Sequence, residues 1–220
     1  MIATPDVIIL EADRIDTAQG PLSPAEQALI AQAHPRRRRQ FTAGRILAHR
    51  ALARAGQPDK PLLADEHRCP IWPDGITGSI SHTDTWCVAA VAPSAEVTSL
   101  GIDIEHPSRV QPNLWPMLFT EREQATLAKL PETSQQIWAG CLFSIKEAFY
   151  KYQYPLTQRM VGFKDVEIEG TLTQATATIC ILKLIAPPLD AGLCLPSQHS
   201  LEKDRVCSLV YGTPGKSIIM

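Results

Sequence analysis

Two acidic side chains lie two residues apart in the string Gly-Ile-Asp-Ile-Glu at 101–105. Alternate side chains of a β-strand face opposite sides, so the two isoleucines would point into a core while Asp103 and Glu105 point together to the other side. Adjacent carboxylates repel each other unless a cation lies between them, and oxygen ligands with open positions suit Mg²⁺. The spacing favours a divalent metal site. The plain alternative is an edge strand with two solvated acids.

A second string, Phe-Ser-Ile-Lys-Glu-Ala-Phe-Tyr-Lys at 143–151, places Glu147 and Lys151 four residues apart. At helical spacing these two residues and Ser144 lie opposite an apolar stripe. The stripe consists of Trp138, Leu142, Ile145, Phe149 and Tyr152. The plain alternative is a surface Glu–Lys pair, which contributes only about 0.2–0.5 kcal/mol. Beside Asp103, however, a third carboxylate and a lysine could together hold a metal ion and a phosphate.

Four arginines at 36–39 open a predicted helix that also carries Arg45. Arg38 and Arg45, seven residues apart, share one side of this helix, and Arg37 lies on the other flank of the Phe41 stripe. Guanidinium groups match phosphate oxygens in geometry as well as in charge. The segment is therefore compatible with a phosphate site, a nucleic-acid patch or a solvated charge run, although the lack of interleaved aromatic residues weakens the second interpretation.

A histidine stands where a predicted strand meets its turn, in the string Gly-Ser-Ile-Ser-His-Thr at 78–83. Small neighbours, including Ser81, would leave His82 accessible, and its imidazole could donate to a phosphate oxygen. A histidine at such an edge is more often structural than catalytic. This string indicates a functional site only in combination with the other strings.

The elements that must position these side chains are strands interspersed with helices. Apolar runs predict strands at 7–10, 76–80, 86–92, 99–105, 161–169, 176–185 and 206–211. Capping residues and helix breakers predict helices over 23–33, 36–56, 120–130 and 133–154. This order predicts an α+β fold of two similar lobes with small antiparallel sheets and long helices. We expect an N-terminal lobe at 1–102 and a C-terminal lobe at 103–220.

The composition is that of an ordinary soluble globular protein. The 220 residues carry a net charge of −2, which gives no overall attraction to nucleic acid or membrane. The six cysteines form no Cys-x-x-Cys pair and are expected to be small, reduced core residues. Residues 1–6 show no signal segment, and all apolar runs are far shorter than the about 20 residues of a membrane span. These features predict a cytoplasmic protein.

Taken together and in order, these strings resemble those of the Sfp-type 4′-phosphopantetheinyl transferases, in the subgroup of bacterial enterobactin-synthetase component D. The matching pieces are Arg37-Arg38, Phe41, Gly44-Arg45, Ala51-Leu52, Trp72-Pro73-Asp74-Gly75, Gly78-Ser79-Ile80-Ser81-His82, Gly101-Ile102-Asp103-Ile104-Glu105 and Phe143-Ser144-Ile145-Lys146-Glu147-Ala148 with Lys151. They lie within 35–165. Each motif alone is weak, but the whole set in family order is specific.

The resemblance implies a pseudo-dimeric monomer whose two lobes face each other across a coenzyme A cleft. It implies that Asp103, Glu105 and Glu147 hold Mg²⁺, with Mn²⁺ as an alternative, against the pyrophosphate. It also implies a set of further coenzyme A contacts: Lys151 and Lys146 at the pyrophosphate, His82 with Ser81 at the pyrophosphate or a neighbouring phosphate, and Arg37 or Arg38 with Arg45 at the 3′-phosphate.

The reaction implied by this resemblance transfers the phosphopantetheine arm of coenzyme A to a serine of an acyl or peptidyl carrier protein and releases 3′,5′-ADP. Asp103, Glu147 and Lys151 would form its catalytic group, with Glu147 as base, metal ligand or both. Carriers of siderophore, polyketide, fatty-acid or other pathways would all present a similar helix around the target serine. The alternatives are a non-catalytic coenzyme A or nucleotide-binding protein and a nucleic-acid-binding module built on Arg36–Arg39.

Overall fold

The structure, a computed structural model, describes residues 2, 4–18 and 20–214. The strands in this part are β1 Ile9–Arg14, β2 Ile76–His82, β3 Trp86–Pro93, β4 Ser99–Glu105, β5 Val166–Glu169, β6 Thr176–Ile181, β7 Cys194–Glu202 and β8 Arg205–Gly212. The α-helices are α1 Pro24–Leu29, α2 Pro35–Arg54, α3 Trp115–Leu118, α4 Glu121–Leu127 and α5 Glu132–Thr157. Two 3₁₀ helices, Pro107–Arg109 and Pro112–Leu114, follow β4. No helix of the described residues is long and apolar enough to cross a membrane.

The described strands form two antiparallel sheets of unequal size. The smaller sheet has the strand order β1-β3-β2, and the larger has the order β4-β8-β7-β6-β5. The predicted α+β class with small antiparallel sheets is therefore confirmed. All of β4 pairs with β8, with Asp103 opposite Ser208, so the expected lobe boundary between 102 and 103 falls inside one strand of the larger sheet.

Two buried serines of β2 connect the smaller sheet to β4. The N–H of Ile102 donates to Ser79 Oγ at 3.1 Å, and Ser81 Oγ donates to Asp103 Oδ1 at 2.8 Å. A hydroxyl group both donates and accepts, so each serine satisfies a polar group of the neighbouring strand. The end of β2, and with it the turn after Ser81, is thereby held next to Asp103.

Helix α2 packs against the three-stranded sheet. His34 Nδ1 accepts from the N–H of Arg36, and Pro35 occupies the first helical position, where its missing N–H costs nothing. The helix ends at Arg54, and Gly56 follows with φ of +72°, as is common just after a helix end. The prediction for this helix is confirmed. Its buried residues include Ala43, Leu47, Ala48, Ala51 and Leu52.

Gly101 permits the close approach of α5 to β4. A Cβ atom at this position would collide with the carbonyl oxygen of Ala148 in the helix. Because glycine leaves this space free, the backbone of α5 lies directly over the strand. The same stretch of helix then carries Glu147 and Lys151 to the level of Asp103.

Helix α5 buries its predicted apolar stripe but differs from its prediction elsewhere. It begins at Glu132, directly after Pro131, and it continues through Pro155 to Thr157. A proline this close to the end of a long helix removes one hydrogen bond, and the packing of the preceding turns outweighs that loss. Ser144, expected on a polar side, is completely buried because α5 packs against both β4 and β8.

Strand β7 is absent from the sequence prediction. Its buried side chains include Ser197 and His199 beside Leu195, so the alternation of apolar and polar residues that identifies a strand is missing. The strand forms because β6 and β8 supply its backbone partners from both sides. The first strand also departs from its prediction, since it spans Ile9–Arg14 and not 7–10.

Replacing Gly101→Ala should lower the melting temperature by roughly 4–8 °C. Overpacking of this kind costs about 2 kcal/mol of stability. For a chain of this length, each kcal/mol lowers the melting temperature by about 2–4 °C. The matched control is Gly20→Ala, whose Cβ would meet only the movable end of the Ile46 side chain. Thermal melts followed by circular dichroism compare the two variants. Equal melting temperatures would contradict the role assigned to Gly101.

Candidate active site

Asp103 lies where β2, β4 and α5 meet. Its side chain is buried, and Oδ1 accepts from Ser81 Oγ at 2.8 Å and from Lys151 Nζ at 2.7 Å. Its other oxygen, Oδ2, is buried with no hydrogen-bond partner among the described residues. Such a carboxylate oxygen costs free energy unless a donor or a cation meets it. This oxygen is therefore the clearest sign of a ligand in this region.

Three acceptors hold the ammonium group of Lys151. Nζ donates to Ser81 Oγ at 2.8 Å, to Ile102 O at 3.2 Å and to Asp103 Oδ1 at 2.7 Å. The side chain is still 26% exposed, so its charge also faces solvent. The structure thus brings together the two strings, at 101–105 and 143–151, that the sequence singles out.

Glu105 and Glu147 add two carboxylates to the same region. Burial, followed by the charge of Asp103, raises the pKa of Glu105 to about 7. The same two causes, in the same order, raise the pKa of Glu147. Nearby positive charge from Lys151 only partly offsets these effects. The cluster is therefore short of positive charge, and a cation would stabilise its ionised form.

These carboxylates do not form a closed metal cage. Within residues 2, 4–18 and 20–214, no group of three His, Cys, Asp or Glu side chains is arranged to hold a metal ion. Mg²⁺, however, is usually bound by one or two carboxylates, with water and substrate phosphate completing its shell. The unpartnered Oδ2 of Asp103 and the acid-rich surroundings fit a cation that binds together with a phosphate ligand.

A cavity of about 480 Å³ next to His82 is lined by three arginines, two histidines and a glutamine. Arg37 Nη1 donates to His82 Nε2 at 3.0 Å. Burial, and then the charges of Arg37 and Lys151, lower the pKa of His82. Because a guanidinium can only donate, Nε2 accepts from Arg37 and the ring proton lies on Nδ1. That nitrogen is buried, and hydrogen bonds of the ring with the backbone of Thr83 and His82 raise the pKa of His82, against the larger effects of burial and charge. The lining residues are His34, Arg36, Arg37, Gln40, His82 and Arg109.

Arg37 and Arg38 point in different directions. Nε of Arg38 donates to Ala33 O at 2.9 Å, and its Nη2 donates to Ala31 O. Arg38 therefore ties the start of α2 to the segment after α1, whereas Arg37 faces His82. The sequence leaves this choice open because both neighbours carry the same group at an exposed helix start.

Arg45 is buried on the α2 face that carries Phe41. Its guanidinium lies 4.4 Å from the centre of the Phe41 ring, and Nη2 donates to Leu63 O at 3.5 Å. Burial lowers its pKa to about 10, and the charge of Arg37 acts in the same direction. Nε has no partner among the described residues. Of the two arginines between which the sequence leaves the choice open, Arg37 is the one whose charge acts on Arg45.

Lys146 lies in the core and away from this cluster. Its Nζ donates to Glu123 Oε2 at 2.7 Å and to three backbone carbonyl oxygens at 2.6–3.2 Å. The Lys146 and Glu123 side chains are each 1% exposed. The expectation that Lys146 binds the pyrophosphate is therefore wrong. It fails because one residue along a helix turns the side chain by about 100°, away from the side that carries Glu147.

Arg109 belongs to the site although no sequence motif identifies it. It lines the cavity that contains Arg37 and His82. Its charge also lowers the pKa of Glu105, against the larger effect of burial. Arg109 is thus close to both the carboxylates and the arginine–histidine cavity. The sequence offers only a lone basic residue after Pro107, a pattern that indicates the end of a strand.

Two known protein families match most of this chain. Residues 25–92 match the family described as the 4′-phosphopantetheinyl transferase N-terminal domain. Residues 99–208 match the 4′-phosphopantetheinyl transferase superfamily. The first match contains Arg37 and His82, and the second contains the carboxylate cluster with Lys151.

Individual relatives agree with the family match. The chain is 36% identical to 4′-phosphopantetheinyl transferase Svp of Streptomyces mobaraensis, over 81% of this chain and 74% of the relative. It is 39% identical to PptT of Mycobacterium tuberculosis, over 66% and 63%. It is 32% identical to enterobactin synthase component D of Salmonella typhi, over 84% and 70%. The resemblance seen in the motifs is thereby confirmed, and the chain belongs to the 4′-phosphopantetheinyl transferases, an enzyme family, in the Sfp-type group related to enterobactin synthase component D.

Proposed function

We propose that the protein transfers the 4′-phosphopantetheine arm of coenzyme A to a serine of an acyl or peptidyl carrier protein, with Mg²⁺ or Mn²⁺ and with release of 3′,5′-ADP. The observation that carries this proposal is the buried, unpartnered Oδ2 of Asp103 beside the ammonium group of Lys151. A pyrophosphate with its metal ion requires both kinds of group, since carboxylates bind the cation and ammonium or guanidinium groups bind phosphate oxygens.

The divalent cation would be held by Asp103, Glu105 and Glu147. The fit is supported by the free oxygen of Asp103 and by the raised pKa values of the two glutamates, whose main cause is burial. When bound, the cation would neutralise charge on the pyrophosphate and on the leaving group.

Lys151 and His82 would bind the pyrophosphate from the protein side. The ammonium group of Lys151 is held in place by Ser81 and Asp103. It therefore does not have to be reoriented during the reaction. The proton on His82 Nδ1 would be a second donor. A phosphate oxygen at this position would satisfy it.

The cavity lined by Arg37 and Arg109 would receive the 3′-phosphate of the adenosine. The guanidinium groups of Arg37 and Arg109 supply donors that suit phosphate oxygens. Arg45 lies behind this face with its Nε unpartnered in the described residues. Its role is to add positive charge beneath Arg37, since its own guanidinium is buried against Phe41.

The reaction requires one proton transfer and one exchange of phosphorus–oxygen bonds. The serine oxygen attacks the β-phosphorus of coenzyme A, and the bond from that phosphorus to the bridging oxygen breaks. The bridging oxygen leaves with 3′,5′-ADP. Glu147 takes the serine proton, directly or through a water molecule. Phosphoryl transfer of this kind depends mainly on alignment and charge stabilisation.

Three of the four arginines at 36–39 have hydrogen-bond partners within the protein, which weakens the nucleic-acid alternative. Arg36 donates to Asp84 Oδ1 at 2.8 Å, and Arg38 is engaged by backbone carbonyls. Nucleic-acid binding needs cations that are free to meet phosphates along an exposed surface. A non-catalytic coenzyme A-binding protein would in turn have no need of the carboxylates around Asp103.

The proposed activity predicts that the protein, incubated with coenzyme A and Mg²⁺, adds one phosphopantetheine to apo carrier proteins. Intact-mass spectrometry of acyl and peptidyl carriers, including carriers from siderophore and polyketide pathways, measures the gain. Glu147→Gln should lower the rate by about 10²–10⁴-fold, because a positioned base contributes that much. Coenzyme A binding without transfer to any carrier would contradict the proposal and identify a non-catalytic binding protein.

Arg37→Leu should raise the KM for coenzyme A by about 10–100-fold, since a hydrogen bond to a charged group contributes about 1.5–3 kcal/mol. The matched control is Arg38→Leu, which removes the same charge one residue away but outside the cavity, and should change KM by less than about twofold. Steady-state kinetics with one saturating carrier protein compares the two. The reverse order of effects would show that Arg38 is the phosphate contact.

Replacing each of the two lysines of the 143–151 string should affect a different property of the protein. Lys146→Met leaves Glu123 as a buried unpaired charge and should cost about 3–5 kcal/mol of stability, while the folded fraction keeps its transfer rate. Lys151→Met should lower the transfer rate with a smaller loss of stability, because Lys151 is partly exposed. Thermal melts and transfer rates per folded molecule test both variants. A transfer defect in folded Lys146→Met would return Lys146 to the site.

A further inference from the structure

Two cysteines lie side by side on neighbouring strands of the larger sheet. Cys180 on β6 is the register partner of Cys194 on β7, and their Sγ atoms are 2.8 Å apart. Both thiols are free and partly exposed. This pair is independent of the proposed active site, and it differs from the reduced core cysteines that the sequence leads one to expect.

The backbone positions of this pair suit a disulfide bond. The N–H of Ile181 donates to Leu193 O at 2.9 Å, which marks the adjacent position as a hydrogen-bonded one. Such positions alternate along an antiparallel ladder, so Cys180 and Cys194 occupy a non-hydrogen-bonded position, where Cα atoms are about 4.5 Å apart. A disulfide tolerates Cα separations of about 4.4–6.8 Å. The two sulfurs can therefore be bonded without moving the strands.

The pair faces away from the core of the lobe. Ile179 and Ile181 of β6 are buried, and Cys180 alternates with them. Burial, with a hydrogen bond to Cys194, raises the pKa of Cys180 to about 12, so proximity and access favour the bond more than thiol acidity does. Cys87 and Cys141, in contrast, are completely buried.

We propose that Cys180 and Cys194 form a modification site at which a low-molecular-weight disulfide, such as glutathione disulfide, is exchanged for an intramolecular disulfide. One cysteine thiolate attacks a sulfur of the oxidant and releases one small thiol. The second thiolate attacks the protein sulfur of this mixed disulfide, forms the Cys180–Cys194 bond and releases the second small thiol. Two electrons pass to the oxidant, and the two cysteine protons appear on the two released thiols.

The bond would strengthen a region that supports one flank of the active-site helix. The N–H of Leu182 donates to Asp165 O at 2.8 Å, and Lys183 Nζ donates to Asp165 Oδ1 at 2.6 Å. Asp165 Oδ2 in turn accepts from the N–H of Gly162 at 2.8 Å. Gly162 lines a cavity of about 270 Å³ together with Glu147. Cross-linking the strands beside Leu182 would therefore restrain the segment next to this glutamate.

The test is peptide mapping of the full chain after treatment with glutathione disulfide, alkylation of remaining thiols and digestion without reduction. Trypsin cleaves after Lys183, so the two cysteines fall in separate peptides that only the disulfide joins. We expect the joined pair to be the main product, and dithiothreitol to separate it. Failure to detect it at excess oxidant, with both thiols recovered alkylated or as glutathione adducts, would overturn the proposal.

Serine variants provide the controls. Cys180→Ser and Cys194→Ser should each abolish the joined peptides, while Cys69→Ser, at another partly exposed cysteine, should leave them unchanged. The melting temperature of the oxidised wild type should exceed that of its reduced form by several degrees, because the bond closes the intervening loop. A joined pair that includes Cys69 or Cys207 in place of Cys194 would also overturn the proposal.

Discussion

The ion pair between Lys151 and Asp103, with Ser81 hydrogen-bonded to both, is the interaction on which the site depends. Its three members come from α5, β4 and β2. Each element is secured elsewhere by its own packing, so the polar contact does not have to hold the fold together. It sets the positions at which a carboxylate, an ammonium group and a hydroxyl meet. Only one oxygen of Asp103 has a hydrogen-bond partner among the described residues.

The absence of a side chain at Gly101 makes this meeting possible. Any side chain there would push α5 away from β4 and would separate Lys151 from its acceptors. The close approach also buries Glu105 and Glu147 beside Asp103, which raises the pKa of both glutamates. The accumulated negative charge is unfavourable for folding and favourable for binding a cation with a phosphate. Such a conflict between local stability and charge is characteristic of functional sites.

The two lysines of one motif show how burial separates structure from function. Lys146 and Lys151 lie on the same helix, and each contacts a carboxylate at 2.7 Å. Around Lys146 all donors are satisfied inside the core, whereas around Lys151 the carboxylates outnumber the nearby cations. Sequence proximity suggested one role for both residues. The surroundings give the first a structural role and leave the second partly exposed to solvent.

By itself the sequence determined the α+β class, the start and end of α2, the β2–β3 hairpin and the common face of Asp103 and Glu105, because these features follow from local periodicity, capping and turn chemistry. It also carried the family motifs. The tertiary structure alone decided the direction of Arg37 and Arg38, the burial of Lys146 and the existence of β7. It also decided that Arg109 lies in the cavity with Arg37 and His82. Each of these depends on neighbours distant in the chain, whose packing and hydrogen bonds no local pattern contains.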